Sequence, residues 1–212
     1  MSDRSVFIAT PAYGGQVAIQ YVGSLLGTCA SLNSAGIQVI TSLVHGGPYI
    51  ESERNHAIKR FLDTDCTHLL FIDSDLEFQH DAALRLLNRD KPIIAGLYPF
   101  KSDEAPGFPV RPIGEEKDGL LQCEGVPTGF MLVKREVIEA LVMAYPELAY
   151  TENQIKLVAL FQNITKDGQF WGEDYIFCQR WSAIGGELWA ETDLTFSHCG
   201  SKAWKGNYSK RG

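Results

Sequence analysis

The segment Leu69-Leu70-Phe71-Ile72-Asp73-Ser74-Asp75 constrains the fold of this chain more than any other. Four apolar residues, too few for a convincing helix, end abruptly in two carboxylates that flank a serine. Such a run predicts a buried parallel strand, and open α/β sheets bind their ligands at the carboxyl ends of such strands. Two neighbouring carboxylates repel each other there, and a divalent cation that carries a phosphate is the natural group to compensate them.

An EF-hand calcium loop is a poor alternative for the same residues. That loop needs an entering helix and a glycine at its sixth position. Here the entering segment is strand-like, and Phe78 stands at the sixth position counted from Asp73. The strand context therefore favours a ligand site at a sheet edge.

Length and composition favour one soluble globular domain. The 212 residues suffice for a substantial core, and the 45% hydrophobic and 21% charged residues are ordinary values. No apolar run approaches the roughly 18 residues of a membrane-spanning helix, and the N-terminus enters a strand-like run at Val6 without a signal-peptide pattern. The five cysteines are scattered and never spaced CxxC, which predicts reduced thiols in a cytoplasmic protein.

The charge of the chain is unevenly distributed. A formal net charge of −7 argues against a dedicated nucleic-acid binder, yet no acid follows Asp193. The basic residues of this end are Lys202, Lys205, Lys210 and Arg211, with Trp204 and Tyr208 between them. A solvated basic tail over 199–212 and a tail that folds over an anionic ligand are both open interpretations.

The first two thirds of the chain alternate strand-like and helix-like patterns, which predicts parallel α/β units. Predicted strands cover 6–9, 37–44, 68–72, 92–98 and 129–133, with a strand pair within 188–195, and predicted helices cover 16–33, 51–62, 81–88, 135–143 and 174–183. Asp81 is expected to cap its helix. Residues 99–128 read as loops and an antiparallel hairpin, and 145–170 as an insert with few elements that is either mobile or faces the substrate.

Three further motifs have a chemical interpretation. The loop Thr10–Gly15 opens a helix, so its free N–H groups face the predicted crevice, although without GxGxxG a dinucleotide site is not expected. Arg54 is predicted to project toward the same sheet edge and to grip a phosphate or a base carbonyl. Glu173 and Asp174 begin a helix, and capping explains one of them. Beside Trp171, the pair also suggests a sugar-stacking ring next to a carboxylate that takes a hydroxyl proton.

Taken together and in this order, these motifs resemble those of glycosyltransferases of the GT-A fold, especially small family-2-like enzymes that include compact viral and phage members. The matching segments are Thr10-Pro11-Ala12-Tyr13, Arg54-Asn55, Phe71-Ile72-Asp73-Ser74-Asp75, Thr128-Gly129-Phe130, Gly172-Glu173-Asp174 and His198-Cys199-Gly200. The resemblance implies an α/β domain with a mixed, mostly parallel central sheet flanked by helices. It implies a nucleotide-binding half over 1–98 and an acceptor-binding half over 99–198, in the cytoplasm, or in the host cytoplasm if the chain is viral.

The resemblance also implies a role for each matching residue. Residues expected to bind the donor are Thr10, Pro11, Ala12, Tyr13, Arg54, Asn55, Asp73, Ser74, Gly129, Phe130 and Lys202, with Tyr13 stacking on the base. Asp75 is expected to bind Mn²⁺ or Mg²⁺ directly, Asp73 to contact the ribose or a metal-bound water, and His198 to act as a third ligand or a phosphate contact. The spacing from His198 to Lys202 is shorter than in the family's retaining members.

The acceptor side follows from the same resemblance. Asp174 is expected to be the general base, with Glu173 as the alternative, and Trp171, Tyr98 and Thr128 are expected to contact the acceptor, with Phe100 nearby. The predicted activity is metal-dependent transfer of a hexose from a nucleotide diphosphate sugar, preferably a UDP-sugar, to an acceptor hydroxyl on a glycan, with inversion. A nucleic-acid acceptor, which the basic tail would contact, is less favoured.

Two other functions stay open. A nucleotidyltransferase that makes nucleotide sugars normally carries a basic residue in the loop after the first strand, and Ala12–Gly15 contains none. A non-catalytic module that binds a sugar nucleotide or a glycan would use the same cleft but would not need Asp174.

Overall fold

The computed structural model describes residues 4–103 and 107–210. The strands and helices follow one another in the order β1 (Ser5–Tyr13), α1 (Ile19–Ser34), β2 (Gln38–Gly46), α2 (Ile50–Leu62), β3 (His68–Ile72), β4 (Leu76–Phe78), α3 (Ala82–Arg89), β5 (Ile93–Gly96), β6 (Arg111–Pro112), β7 (Leu120–Gly125), β8 (Phe130–Lys134), α4 (Arg135–Ala144), β9 (Ala149–Glu152), β10 (Ile155–Val158), β11 (Ile164–Lys166), β12 (Gln169–Trp171), α5 (Glu173–Ala183), β13 (Leu188–Glu191), β14 (Thr195–Cys199) and β15 (Ala203–Asn207). Short 3₁₀ turns cover Pro146–Leu148 and Tyr208–Lys210.

An eight-stranded sheet organises the molecule in the order β2-β1-β3-β8-β5-β13-β7-β6. Strands β2, β1, β3, β5, β13 and β6 run in one direction, and β8 and β7 run in the other. The predicted fold class, a mixed and mostly parallel sheet flanked by helices, is confirmed. It is the α/β architecture that the resemblance to GT-A glycosyltransferases implies.

Both faces of the sheet are covered by helices, which explains the unbroken apolar run of β3. All five residues of β3 are buried. Helices α2, α4 and α5 pack on one face and contribute Phe61, Ile138 and Phe177 to its core, whereas α1 and α3 pack on the other. A strand enclosed on both sides cannot alternate apolar and polar residues.

The antiparallel strand β8 sets the position of the functional loop before it. Ile72, the last residue of β3, pairs with Phe130, the first residue of β8. The Asp73 backbone N–H then donates a 2.8 Å hydrogen bond to the Gly129 carbonyl. Thr128 and Gly129 therefore lie at the carboxyl end of β3 because β8 runs against it.

The structure corrects two local expectations. Asp81 has helical dihedral angles and makes no side-chain cap hydrogen bond, so the expected cap is wrong. The 145–170 region contains two hairpins, β9–β10 and β11–β12. The second hairpin turns at Asp167-Gly168, both at positive φ, and this Asp-Gly dipeptide was a hairpin signal in the sequence.

The C-terminal segment forms the strand β15 over Ala203–Asn207 and a 3₁₀ turn over Tyr208–Lys210. Strand β15 pairs with β14, and β14 pairs with β4 to complete a three-stranded sheet beside the site. The interpretation of this segment as a solvated tail is wrong for Ala203–Asn207. Arg211 lies outside the described residues. Among the described residues, no helix is both long enough and apolar enough to cross a membrane.

Candidate active site

A cleft of about 260 Å³ opens at the carboxyl ends of β1, β2 and β3. Five residues that the sequence analysis predicted for the donor or the metal line it, namely Pro11, Tyr13, Asp73, Ser74 and Asp75. The cleft is also lined by Gly46, Gly47, Pro48, Ile50 and Glu53, which the sequence analysis did not assign. The sequence could have indicated these residues, because a Gly-Gly-Pro loop that follows the second parallel strand lies at the same edge of the sheet.

Glycines and one carboxylate shape this cleft. Gly14 and Gly15 both have positive φ, and the Gly15 N–H donates to the Ala12 carbonyl at 3.0 Å, so the loop after β1 turns back tightly. Glu53 accepts a 2.8 Å hydrogen bond from the Gly47 N–H and closes the loop after β2. Tyr13 is 73% exposed at the mouth of the cleft, where a ring can stack on a ligand.

Several predicted donor residues lie in the interior instead. The Thr10 hydroxyl hydrogen-bonds to Tyr21 at 2.6 Å, and Ala12 is buried. The Asn55 side chain exchanges two 2.9 Å hydrogen bonds with the backbone of Phe161. Phe130 is fully buried in the core. The structure thus gives these side chains packing partners, and their predicted contacts with a donor stay predictions.

Arg54 connects the strand that carries the acidic pair with the helix that carries the predicted base. Its guanidinium lies 3.3 Å from Asp73 and 2.8 Å from Glu173, and only 6% of its side chain is exposed. The ring of Phe161 lies under it, 5.7 Å from the guanidinium carbon. Arg54 reaches the predicted sheet edge, but in this structure it binds carboxylates there.

Glu173 and Asp174 differ in their partners. Glu173 is held by Arg54, whereas Asp174 makes no ion pair with any described residue and accepts a 2.8 Å hydrogen bond from the Tyr175 N–H. Burial raises the pKa of both carboxyls above their usual values, although the nearby Arg54 opposes the rise. A carboxylate with a raised pKa and no ion-pair partner is suited to accept a proton.

Tyr98 and Asp73 meet over Gly129. A Cβ atom on Gly129 would lie 2.5 Å from the Tyr98 hydroxyl oxygen and 2.7 Å from Asp73 Oδ2. Burial raises the pKa of Tyr98 well above its usual value, and the Asp73 charge adds to the rise. Thr128, next to Gly129, is buried with a hydroxyl that has no hydrogen-bond partner among the described residues. Only glycine fits beneath this polar cluster.

Asp75 lies between two basic side chains. Its Oδ2 atom is 2.6 Å from Lys101 Nζ and 3.5 Å from His198 Nε2. Burial alone would raise the pKa of Asp75, but hydrogen bonds from His198 and Lys101 lower it below the usual value. His198 Nδ1 lies 2.9 Å from the Pro99 carbonyl oxygen, and because a carbonyl only accepts, Nδ1 carries a proton.

The donor chemistry at Asp75 fits a divalent cation. When the His198 ring carries its only proton on Nδ1, the lone pair of Nε2 faces the Asp75 carboxylate, and a cation bound between these two acceptors would satisfy both. Carboxylate oxygens bind both Mn²⁺ and Mg²⁺, whereas an imidazole nitrogen suits a transition metal such as Mn²⁺ better than Mg²⁺. Among the residues that the structure describes, no three His, Cys, Asp or Glu side chains converge as a ready metal site. The protein would therefore supply few ligands, as in sites completed by substrate phosphates.

Trp171 lines a second cleft, of about 490 Å³. The Arg111 guanidinium lies between its ring and that of Tyr175, with distances to the ring centroids of 4.8 Å and 4.6 Å. The cleft continues along α5 past Gln179. Trp171 is two positions from Glu173, so this cleft begins beside the acidic pair.

Lys202 contacts protein groups in this structure. It forms an ion pair with Asp103, which also accepts a 2.8 Å hydrogen bond from the Trp204 indole N–H. The ammonium also lies 5.4 Å from the centroid of the Trp204 ring. Its predicted contact with the donor stays a prediction.

Comparison with known proteins yields structural likeness alone. No protein-family model matches the chain, and no curated protein matches its sequence. The crystal structure of A197 from STIV is similar at a TM-score of 0.60, with 19% identity over 99% of this chain and 92% of that chain. This likeness shows a shared fold.

Two other similar structures have lower scores. Apo UDP-glucose pyrophosphorylase has a TM-score of 0.49 and 10% identity over 96% of this chain and 92% of that chain. S. aureus TarS 1-349 in complex with UDP-GlcNAc has a TM-score of 0.46 and 14% identity over 99% of this chain and 61% of that chain.

Proposed function

We propose that the protein is a metal-dependent glycosyltransferase that moves a hexose from a nucleotide diphosphate sugar to a hydroxyl of a glycan. The observation that carries the proposal is the Arg54 bridge from Asp73 to Glu173. This bridge joins the acidic end of β3 to the start of α5, so that Asp174 lies beside the acidic end of β3 without an ion pair of its own among the described residues.

The cleft between β1, β2 and β3 is the proposed donor site. Tyr13 offers an exposed ring for the base, and UDP-sugars are the preferred donors by the family resemblance. The loops Gly14–Gly15 and Gly46–Gly47 permit a close approach of the nucleotide. Asp75 and His198 would hold Mn²⁺ or Mg²⁺, which when bound supplies positive charge to the departing diphosphate.

Asp174 is the proposed general base. As the acceptor oxygen bonds to the anomeric carbon, the Asp174 carboxylate takes the hydroxyl proton, and the bond from that carbon to the diphosphate oxygen breaks. The diphosphate keeps the electron pair, so charge and atoms balance. Such a direct displacement inverts the anomeric configuration. Glu173 is less suited as the base, because Arg54 occupies its carboxylate.

The cleft beside Trp171 is the proposed acceptor site. Its position next to the acidic pair supports this assignment. Trp171 and Tyr175 also give the cleft two aromatic rings of the kind that suit the apolar faces of sugars, although a sugar would have to use ring surface that Arg111 leaves open or displace its guanidinium. Tyr98 and Thr128 lie nearer to Asp73 and Gly129, where the transferred hexose would sit between the donor and acceptor clefts.

The donor site is tested first by thermal unfolding with UDP-, GDP- and dTDP-sugars, each in Mn²⁺ and in EDTA. Binding at a hundredfold excess over Kd stabilises the fold by about 2.7 kcal/mol. We expect one nucleotide series to stabilise the protein only with Mn²⁺, and the double variant Asp73→Ala, Asp75→Ala to lose the shift. A donor shift that survives both EDTA and the double variant would refute the metal assignment.

Catalysis is tested separately by donor turnover. Asp174→Asn should keep the metal-dependent donor shift and lose about 10²- to 10⁴-fold in turnover, the usual contribution of a positioned base. Asp65→Asn, at an exposed position, is the matched control and should retain turnover. If wild type binds the donor but never releases nucleotide, and Asp174→Asn behaves identically, the protein is a binding module.

A further inference from the structure

We propose that Lys101 is an internal competitor for the divalent cation at Asp75: its ammonium group occupies the carboxylate until the cation displaces it. The proposal rests on the cation site of the proposed function. It assigns to Lys101 a control of metal affinity that the sequence motifs did not indicate.

The competition follows from the contacts of one atom. Asp75 Oδ2 accepts a hydrogen bond from Lys101 Nζ at a distance of 2.6 Å. The same oxygen lies 3.5 Å from His198 Nε2. The same oxygen and the same nitrogen are the atoms that a divalent cation would bind. Like charges repel strongly at such short range. Binding of a dication while the ammonium stays on the same oxygen would therefore be weakened by this repulsion.

The position of Lys101 is built into the fold. A Cβ on Gly200 would lie 3.5 Å from Lys101 Cδ and 3.6 Å from Cε, which are ordinary van der Waals distances, so the lysine stem lies alongside the chain at Gly200. Gly200 directly follows the end of β14, the strand that carries His198. Lys101 thus lies beside the end of the strand that carries His198, the other group near Asp75.

The segment 99–103, which we call the strap, is tied down on both sides of Lys101. Before it, the Pro99 carbonyl oxygen lies 2.9 Å from His198 Nδ1. After it, Asp103 pairs with Lys202 and accepts the Trp204 indole N–H at 2.8 Å. The strap therefore presents Lys101 to Asp75 from a defined position.

Two properties make the contact reversible. The side chains of Lys101 and Asp75 are both 36% exposed, so water can solvate the ammonium as it leaves. An ion pair at this exposure stabilises a protein only weakly. A cation bound by Asp75, His198 and a donor diphosphate would thus displace Lys101, and the released ammonium could then pair with a diphosphate oxygen.

The experiment is a Mn²⁺ titration without donor, followed by the electron paramagnetic resonance signal of free Mn²⁺. Lys101→Met should bind Mn²⁺ roughly five- to tenfold more tightly than wild type, since it removes both a weak ion pair and a like charge. Lys101→Gln should behave the same way, because it keeps a hydrogen-bond donor but no charge. Asp75→Asn should abolish binding, alone or combined with Lys101→Met.

Lys59→Met is the matched control. Lys59 is also 36% exposed and pairs with a carboxylate, Asp63, at 2.6 Å, but it lies on α2 away from Asp75. This variant should bind Mn²⁺ like wild type. An equal gain in Mn²⁺ affinity in Lys59→Met and Lys101→Met would show that the effect comes from the net charge of the protein, and it would overturn the proposal.

The outcomes separate this proposal from the proposed function. Equal Mn²⁺ affinity in wild type and Lys101→Met, with loss in Asp75→Asn, would leave the metal site intact and overturn the role of Lys101. No Mn²⁺ binding by any variant, with or without UDP, would overturn both. Tighter binding in Lys101→Met by a protein that never turns over a donor would support the competitor and refute the transferase.

Discussion

Arg54 donates a 2.8 Å hydrogen bond from Nη1 to Glu173 Oε1, although 119 positions separate the two residues in the chain. The second arm of the guanidinium reaches Asp73 at 3.3 Å. One buried cation thus compensates two carboxylates from different elements. The arrangement leaves Asp174 as the acid of the Glu-Asp pair that is available for chemistry.

Removal of this cation should destabilise the protein. Arg54→Met leaves Asp73 and Glu173 partly buried without a counter-charge, and loss of one partner of a buried ion pair typically costs about 3–5 kcal/mol. The free energy of unfolding, measured in urea at pH 7, checks this. The loss in the free energy of unfolding should be smaller at lower pH, because the carboxyls of Asp73 and Glu173 then take up protons and are no longer buried charges. Arg60→Met, at a half-buried arginine of the same helix, should cost less, and a loss under 1 kcal/mol for Arg54→Met would contradict the network.

Gly129 should not tolerate a methyl group. In Gly129→Ala the new carbon would lie 2.5 Å from the Tyr98 hydroxyl and 2.7 Å from Asp73 Oδ2, so either the tyrosine or the carboxylate has to move. We expect a loss of about 1–3 kcal/mol, the usual cost of overpacking, together with weaker donor binding. Gly23→Ala is the control, because its Cβ meets no atom within 4 Å, and a helical alanine there should stabilise by up to about 1 kcal/mol. Similar melting temperatures for both variants would show that the site has room to relax.

Donor turnover should fall on the acid side of neutrality. The Asp174 carboxylate is active as a base only when deprotonated, and burial raises its pKa above the usual value, which is about 3.9 for aspartate. Turnover should therefore rise with pH through a midpoint above that value. Initial rates of nucleotide release from pH 4 to pH 8 test this. Glu173→Gln should keep an acid limb, whereas a flat profile down to pH 4 would exclude a carboxyl base with a raised pKa.

His68 should make stability depend on pH. Burial, with the nearby Lys134 charge adding to it, lowers the pKa of His68 to about 4, while the unfolded chain has a value near 6.5. Between these values only the unfolded state takes up the proton, so the free energy of unfolding should fall as pH drops from about 6.5 to about 4, by roughly 3 kcal/mol in total. His68→Gln should lose this part of the acid sensitivity, as measured by urea unfolding at several pH values. His45→Gln, at an exposed histidine, should keep the wild-type slope, and an unchanged slope in His68→Gln would be the contrary result.

Much of the framework could be predicted from local patterns. The apolar run Leu69–Ile72 is a buried central strand, and the Asp-Ser-Asp turn after it lines a cleft at the sheet edge together with Pro11 and Tyr13. Local patterns suffice here because parallel strands end at a common edge, so residues that follow separate strands are brought together by the architecture. The Gly46–Pro48 loop follows the same rule and lines the same cleft.

Other features had no local signal. Asn55 belongs to a motif predicted to bind the nucleotide-sugar donor, yet its side-chain amide forms hydrogen bonds with the backbone N–H and carbonyl of Phe161. Residues 203–207 have the composition of a basic tail, yet they pair with β14. In both cases the partner lies in another element, and the local sequence does not identify which distant backbone or side-chain group will complete the hydrogen bonds.

The sequence by itself determined the α/β class, the sheet edge that carries the acidic pair and the helix that begins with Glu173 and Asp174. Each of these depends on hydrophobic periodicity or on neighbours within a few positions, which are properties of the linear chain. Only the tertiary structure decided that Arg54 binds Asp73 and Glu173, and that Lys101 and His198 flank Asp75. Ion pairs form only between groups that lie a few ångströms apart in space, so the pairing of charges depends on how distant elements pack together.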